Sequence, residues 1–325
     1  MYRWGILATG GIASTFAKAL NYVEDATLYA VASRNQKKAN EFAEEYGIEK
    51  AYDSYEKLVQ DEKVDIIYIA TPMNCHYDNV KLCLEHGKNV LCEKAITINA
   101  KQLEELITLA KEKDVFFMEA MWTKCLPAFQ KAKEWIKEGK IGKVQMIKAD
   151  FCNQVPYQEE SRLFRKDLGG GAILDLGVYP ISFATSFLGT RPNRIISNAR
   201  MGQSEVDFDC GIMLQYDNAF AILSCGFDIL CNNNATIIGS EGTISFGDWF
   251  FTTPNVNLYN SKLELIEEVS LPHECNGYEY EIMEVHRCLG NKQKESTLIP
   301  LSDTLDIMKI MDQCRKDCGL VYPEE

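Results

Sequence analysis

A lysine and a tyrosine stand out in this sequence, because each lies in a setting that favours proton transfer. Lys94 follows Glu93 in a polar pair that interrupts apolar sequence on both sides. Tyr179 lies four residues after Asp175, in a run that begins with three consecutive glycines. On a helix, residues four apart share one face. A lysine ammonium near a tyrosine would lower the pKa of the tyrosine phenol from about 10. The resulting phenolate could then take a proton from an alcohol.

Each of these features also has an ordinary structural explanation. Glu93 and Lys94 could form a solvated ion pair at the end of a strand. Tyr179 could be a core residue beside a helix-capping Asp175, and Pro180 could kink the helix that carries both. The residues alone leave these alternatives open.

The first 20 residues carry the pattern of a dinucleotide-binding turn. A short apolar run, Trp4 to Leu7, is followed by small residues and then by an amphipathic segment. A helix N-terminus offers free N–H groups and the positive end of a dipole, so this order predicts a phosphate site, although any strand-to-helix turn favours small residues. The fingerprint G-x-G-x-x-G/A has alanine in place of its first glycine. The residues of the turn predicted to bind the cofactor are Thr9, Gly10, Gly11, Ile12 and Ala13.

The end of the second predicted strand favours NADP over NAD. An NAD enzyme typically places an acidic residue there to hold the ribose hydroxyl, whereas this chain has Ser33-Arg34 followed by two lysines. A guanidinium and a hydroxyl suit a 2′-phosphate, which a carboxylate would repel. Ser33, Arg34 and Lys38 are therefore predicted cofactor ligands, with NAD as the alternative cofactor. An ordinary basic helix start is the alternative explanation, although helix N-termini favour acids.

Polar residues also follow the third and fourth predicted strands. Because the carboxyl ends of parallel strands face the ligand crevice, these residues are expected near the nicotinamide end of the cofactor. Asn74 offers amide groups there, while His76 could simply begin the next helix. The strand-end residues predicted to bind the cofactor are Thr71, Pro72, Asn74, His76, Glu93 and Lys94.

The order of the predicted elements indicates an α/β chain of two domains. Strands and helices alternate up to residue 121, which predicts a Rossmann fold with a parallel sheet over residues 1–121. Beyond it, strands dominate between Arg194 and Val269, and two helices close the chain. Residues 122–325 are predicted to form an α+β domain on an open, mostly antiparallel sheet. Apolar residues on both faces of strands such as Phe220 to Phe227 predict a homodimer or higher homo-oligomer through that sheet.

The composition of the 325-residue chain limits the classes of partner that it is expected to bind. A net charge of −13 disfavours nucleic acid and an anionic membrane. The twelve cysteines contain no C-x-x-C pair and the four histidines are scattered, so no metal site is predicted. The sequence shows neither a long uncharged apolar run nor a leader pattern, and a cytoplasmic location is expected.

Together these motifs resemble the Gfo/Idh/MocA oxidoreductase family over the whole chain. The resemblance is carried by the ILATGGIA turn, the ATP…N.H segment, the EK motif and the GGG…D.G.Y helix. The segments EAMWTK and DLGVYP are most similar to the branch of trans-dihydrodiol and NADP-dependent D-xylose dehydrogenases. Three positions depart from the pattern: Ala95 stands in place of a proline, Ala8 in place of a glycine and Lys124 in place of an arginine.

The resemblance implies hydride transfer between NAD(P) and a secondary alcohol or hemiacetal of a sugar, polyol or cyclic diol. It implies that Lys94 and Tyr179 form the catalytic pair, with the nicotinamide in the crevice between the domains. Asp175 would position the substrate, and Trp122 would line the pocket that receives substrate and cofactor. Some members of the family bind the dinucleotide without catalysis, so a regulator or sensor is the alternative function. Tyr157 and Asn153 are further polar residues that could satisfy substrate hydroxyls.

Overall fold

The computed structural model describes residues 1–323 and 325 and divides into two compact units. The first comprises Met1–Trp122 with His273–Thr304, and the second comprises Thr123–Pro272 with Leu305–Glu325. The domain boundary at residue 121 stays a prediction, and the packing adds a distant segment to the first unit. Two side-chain hydrogen bonds join this distant segment to the N-terminal part of the unit: the Trp4 indole donates to His286 (3.0 Å), and the Asn276 amide donates to the carbonyl of Thr15 (2.9 Å).

The first unit is built on a fully parallel sheet of six strands. Its elements are β1 (Tyr2–Leu7), α1 (Gly11–Leu20), β2 (Ala26–Ala32), α2 (Gln36–Tyr46), β3 (Lys50–Tyr52), α3 (Tyr55–Val59), β4 (Ile66–Ile69), α4 (His76–Glu85), β5 (Asn89–Glu93), α5 (Ala100–Glu112), β6 (Phe117–Ala120) and, from the distant segment, α8 (Glu279–Gly290). The strand order β3-β2-β1-β4-β5-β6 reverses between β1 and β4. In such a sheet, ligands bind beyond the carboxyl ends of the strands near the reversal. The predicted Rossmann fold is confirmed.

Local sequence explains most of these elements. The four residues of β4 are all buried, as expected of a central strand covered on both faces. Gly47 ends α2 in the left-handed region (φ 71°), which glycine adopts more easily than other residues. The strand β3 escaped prediction because three residues at the sheet edge carry too little pattern.

The second unit carries an open sheet of eight strands. Its elements are α6 (Pro127–Lys137), β7 (Val144–Cys152), α7 (Val178–Leu188), β8 (Arg194–Met201), β9 (Asp207–Gln215), β10 (Phe220–Gly226), β11 (Ala235–Gly239), β12 (Gly242–Phe246), β13 (Asn255–Asn260), β14 (Leu265–Ser270) and the greater part of α9 (Leu301–Cys318). The order is β14-β13-β12-β11-β7-β10-β9-β8, and β7 with β10 is the parallel pair among otherwise antiparallel neighbours. The predicted mostly antiparallel sheet is confirmed.

The helix that bears Asp175 and Tyr179 is less regular than the sequence predicted. A single regular α-helix that carries both Asp175 and Tyr179 does not form: Ile173–Gly177 form a π-helical turn, and α7 starts at Val178. Pro180 has no N–H to bond the carbonyl four residues earlier, so a regular α-helical ladder cannot pass through it. The stretch Lys166–Leu188 is long and apolar enough to cross a membrane, but 78% of its apolar window is buried inside the protein, as in a core helix.

Candidate active site

The turn after β1 presents an open helix N-terminus. Gly10 precedes α1 in extended conformation, and a Cβ at Gly10 or Gly11 would meet nothing within 4 Å. The start of α1 is therefore uncrowded at these two glycines, and a helix N-terminus with its positive dipole end suits a phosphate. Ala8 lies in the left-handed region (φ 93°), a conformation that glycine adopts without cost and alanine does not. Among the other predicted ligands of the turn, Ala13 is buried, whereas Thr9 and Ile12 are half-buried.

The residues after β2 form a polar, basic segment. Ser33 is buried and its hydroxyl accepts the N–H of Asn35 (3.3 Å), whose own side chain caps α2 by accepting the N–H of Lys38 (3.2 Å). The side chains of Arg34 and Lys38 are exposed. Burial raises the pKa of the Tyr55 phenol, and the Arg34 guanidinium, which contacts this phenol, opposes the rise. The segment therefore offers an exposed guanidinium held beside a phenol.

The segment after β4 is held by a buried histidine. His76 begins α4, as the simpler interpretation expected, and is 1% exposed. Its Nε2 lies 2.8 Å from the carbonyl oxygen of Thr71, and its Nδ1 lies 3.0 Å from that of Ala95. Each contact needs a ring N–H, because a carbonyl oxygen only accepts, and the tautomer decides which of the two carbonyls a neutral ring bonds. His76 thus ties the end of β4 to the residue after Lys94, and a direct contact with the cofactor stays a prediction.

The polar side chains of this segment differ in their exposure to solvent. The Thr71 hydroxyl is buried and accepts the amide of Asn79 (3.0 Å). Pro72 is exposed and Asn74 is half-buried, in the 3-10 turn Met73–Cys75.

Lys94 emerges from a buried polar cluster at the end of β5. The Glu93 carboxylate is 6% exposed and accepts the hydroxyl of Tyr68, and the Lys94 N–H points to the same carboxylate (3.3 Å). Burial, reinforced by the Glu93 charge, raises the pKa of Tyr68 well above its usual value, so this phenol stays a donor. Lys94 is half-buried, and its peptide bond to Ala95 is cis. Glu119, at 2% exposure, accepts the N–H of Ile96 (3.3 Å) and supports the same loop.

Trp122 packs against a loop that sequence reasoning missed. Its ring stacks on Tyr278, with centroids 4.7 Å apart and an interplanar angle of 19°. Gly277 (φ 96°) lies below the ring, and a Cβ there would come within 2.7 Å of the indole. The Glu279 carboxylate accepts three successive N–H groups, those of Cys275, Asn276 and Gly277 (3.0, 3.2 and 2.7 Å). The Asn276-Gly277 pair signals a turn, but its place beside Trp122 is not readable from spacing.

A buried carboxyl on α8 also escaped the sequence analysis. Glu281 is fully buried, and neither of its oxygens has a hydrogen-bond partner among the described residues. Burial, and then the Glu93 charge, raise the pKa of Glu281 well above its usual value. Burial and the Glu93 charge therefore both favour the protonated form of the Glu281 carboxyl.

In the second unit, Tyr179 lies in an aromatic wall. It is 7% exposed, and its ring centroid lies 5.3 Å from that of Phe151 and 5.1 Å from that of Phe251. These contacts fix the ring by packing, which leaves the phenol oxygen as its reactive end. Asp175 accepts the guanidinium of Arg162 (3.0 Å), and its side chain is 15% exposed.

The two further polar candidates lie at the edge of the second unit. Asn153 is exposed and donates its backbone N–H to the carbonyl of Gly226 (2.8 Å). The Tyr157 ring is 38% exposed and lies 5.0 Å from the ring of Phe164. Both side chains are accessible to a small polar molecule.

The structure therefore places the predicted residues in two sets. Lys94, Trp122 and the predicted cofactor ligands belong to the first unit, whereas Asp175 and Tyr179 belong to the second. Hydrogen bonds of the buried Glu93 support the first set, whereas aromatic packing holds Tyr179 and the Arg162 guanidinium holds Asp175 in the second. The catalytic and binding roles of these residues stay predictions.

Known proteins match this chain over its whole length. The profile of the oxidoreductase family with an NAD-binding Rossmann fold matches residues 2–121, and that of the GFO/IDH/MocA C-terminal domain matches residues 129–245. The trans-1,2-dihydrobenzene-1,2-diol dehydrogenase of Xenopus tropicalis is 35% identical, with 99% of each chain covered. The human protein of that name is 32% identical, covering 99% of this chain and 98% of its own. The crystal structure of KijD10, a 3-ketoreductase from Actinomadura kijaniata in complex with NADP and TDP-benzene, has a TM-score of 0.86, 26% identity and 97% coverage of each chain.

Proposed function

Since the chain belongs to the Gfo/Idh/MocA oxidoreductase family, we propose that it is an NADP-dependent dehydrogenase acting on a CH–OH group. Its substrate is a sugar, a polyol or a cyclic diol. One observation carries the proposal: Lys94 is a half-buried lysine that directly follows the buried Tyr68–Glu93 bond, in a chain whose whole-length relatives are named diol dehydrogenases. A chain that only binds the dinucleotide would not need this lysine.

The first unit fits the proposed cofactor. The N-terminus of α1 would hold the pyrophosphate, because no atom lies within 4 Å of a Cβ placed at Gly10 or Gly11 and a helix N-terminus binds anions. Arg34 and the Ser33 hydroxyl would bind the 2′-phosphate, which supports NADP over NAD. The exposed Lys38 adds a second positive charge to this segment. When bound, the nicotinamide supplies the hydride chemistry.

The chain's own contribution is the handling of a proton. Tyr179 exchanges the proton of the substrate hydroxyl at its phenol oxygen, and the packing of its ring on Phe151 and Phe251 orients that oxygen. Lys94 is the second group of the proposed acid–base pair, and its ammonium donates to a substrate hydroxyl. Asp175, held by Arg162, accepts a neighbouring substrate hydroxyl. The Trp122 ring provides an apolar wall that suits a sugar face or an aromatic diol.

The test is Lys94→Ala against the wild type, with trans-1,2-dihydrobenzene-1,2-diol, D-xylose and myo-inositol as probes and with NADP and NAD in turn. We expect turnover to fall by about 10²-fold or more, while cofactor binding measured by fluorescence stays nearly unchanged. Lys101→Ala, an exposed position on α5, is the control. Equal turnover in Lys94→Ala and wild type would remove Lys94 from the mechanism. Cofactor binding by a wild type that turns over none of the probes would favour a sensor.

We also propose a homodimer through the open sheet of the second unit. Ile196, Met213 and Ile222 are register partners on β8, β9 and β10, and they are 41%, 38% and 44% exposed. An apolar row across three strands is the kind of surface that a second subunit covers. Light scattering should give about twice the monomer mass, and Met213→Lys should halve it. A monomeric wild type would refute the dimer.

The proposed location is the cytoplasm. Cys83, Cys92 and Cys225 are fully buried and serve as small apolar residues, as expected in a reducing compartment.

A further inference from the structure

The turn Gly169–Gly171, called here the glycine turn, is fixed by the close approach of backbone. Gly169 and Gly171 have φ values of 74° and 126°, which disfavour any side chain. A Cβ at Gly170 would lie 2.7 Å from the carbonyl oxygen of Leu163 and 2.8 Å from that of Arg165. The N–H groups of Gly170 and Gly171 bond those same two carbonyls, Arg165 at 2.9 Å and Leu163 at 3.0 Å. The glycine turn therefore has little freedom on that side.

Two side chains from distant parts of the second unit hold the other side. The Tyr322 hydroxyl donates to the carbonyl of Gly170 (2.7 Å), and the Asp207 carboxylate accepts the N–H of Ile173 (2.6 Å). Tyr322 is 3% exposed and Asp207 is fully buried. A Cβ at Gly171 would lie 2.2 Å from Asp207 Oδ1, so the carboxylate fills the space left by the glycine. Both bonds meet the chain where the helix bearing Asp175 and Tyr179 begins.

Tyr322 is itself held by a buried arginine. Arg315 is 3% exposed, donates twice to the Glu325 carboxylate (2.7 and 2.8 Å) and stacks on the Tyr322 ring at 4.9 Å. The same carboxylate accepts the Tyr322 N–H (3.0 Å). The ring is thus placed by contacts that do not involve its hydroxyl. Removing the hydroxyl would cut the link to the glycine turn and leave the rest in place.

We propose that Tyr322 and Asp207 are positioning residues for Tyr179. They act through the glycine turn and the π-helical turn, which together set where α7 and its tyrosine lie. The inference rests on the proposed function, in which Tyr179 exchanges a proton with the substrate. A small displacement of a reacting group is sufficient to slow catalysis many-fold, so loss of an anchor should reach the chemistry without any contact to the substrate.

The variant Tyr322→Phe tests the hydroxyl, and Tyr216→Phe is its matched control. Tyr216 donates the same kind of bond to a glycine carbonyl, that of Gly189 (2.7 Å), at the opposite end of α7. We expect Tyr322→Phe to lower kcat by about 5- to 10-fold, the factor that corresponds to one hydrogen bond. KM for NADP should not change, and the kinetic isotope effect with 4-deuterated NADPH should increase because chemistry becomes slower. The control should leave kcat and the isotope effect unchanged.

Hydrogen exchange of the amides of residues 171–179 separates this inference from the proposed function. Tyr322→Phe should exchange faster there than the wild type, whether or not a substrate is turned over. Asp207→Ala should speed exchange at Ile173, and Asp207→Asn should restore it, because asparagine keeps an acceptor oxygen. Unchanged exchange in Tyr322→Phe and Asp207→Ala would overturn the positioning role. Faster exchange with unchanged kcat, in an active enzyme, would also overturn it.

Discussion

Asp207 should make the stability of this protein depend on pH near neutrality. Burial raises the pKa of this carboxyl from 3.8 to about 7, against the opposing effect of the Ile173 N–H bond and the more distant Arg315 charge. A raised pKa in the folded state means that the folded protein binds a proton that the unfolded chain has released. The stabilisation is complete below pH 3.8 and is lost as the pH rises through about 7.

The size of the effect follows from the two pKa values. The difference is about three units, which corresponds to about 4 kcal/mol between strongly acidic and strongly alkaline solution. Between pH ~5.5 and pH ~8.5, the wild type should lose about 2 kcal/mol of this stabilisation. Asp207→Asn has no proton to lose and keeps an acceptor for Ile173. The free energy of unfolding of the variant, relative to that of the wild type, should therefore increase by about 2 kcal/mol from pH ~5.5 to pH ~8.5.

Urea denaturation of both proteins at pH ~5.5 and pH ~8.5 measures this gain. Asp209→Asn is the control on the same strand: it breaks an ion pair with Arg200, so it should destabilise the protein at both pH values. If the free-energy difference between Asp207→Asn and the wild type is the same at the two pH values, Asp207 does not titrate in this window and the burial argument fails.

Two further substitutions test single features of the first unit. Ala8→Gly should stabilise the protein by about 0.5–1 kcal/mol, because glycine tolerates the φ of 93° that strains alanine; a lower thermal midpoint would contradict this. Glu281→Gln should leave the thermal midpoint unchanged or higher at pH ~7 and clearly higher at pH ~9, since burial of the Glu281 carboxyl raises its pKa and ionisation costs stability. The control Glu284→Gln, on the same helix, should destabilise at both pH values, because Glu284 accepts bonds from Arg287 and Ser296; a Glu281→Gln effect independent of pH would refute the ionisation argument.

The order of helices and strands could be predicted because each of them depends mainly on residues that are close together in the sequence. Apolar runs gave the buried strands, and glycines such as Gly47 marked helix ends. The local sequence could not show that a π-helical turn precedes Pro180, because the change from α-helical to π-helical hydrogen bonding depends on how that segment is anchored in the fold. Nor could it show Asp207 and Tyr322 at the glycine turn, since those residues lie 36 and 152 positions from the residues they bond or shield.

The sequence by itself determined the family and the cofactor class, and it singled out Lys94 and Tyr179 as candidate catalytic residues. The cofactor class and Lys94 follow from residue identity at the turns and strand ends of a Rossmann fold, whose backbone geometry recurs between proteins. Tyr179 follows from its spacing to Asp175 after the three glycines. Only the tertiary structure decided how those groups are supported: Tyr68 on Glu93, Tyr278 under Trp122, and the anchors of the glycine turn. Such support depends on burial and on contacts between residues far apart in the chain, and no local spacing encodes either.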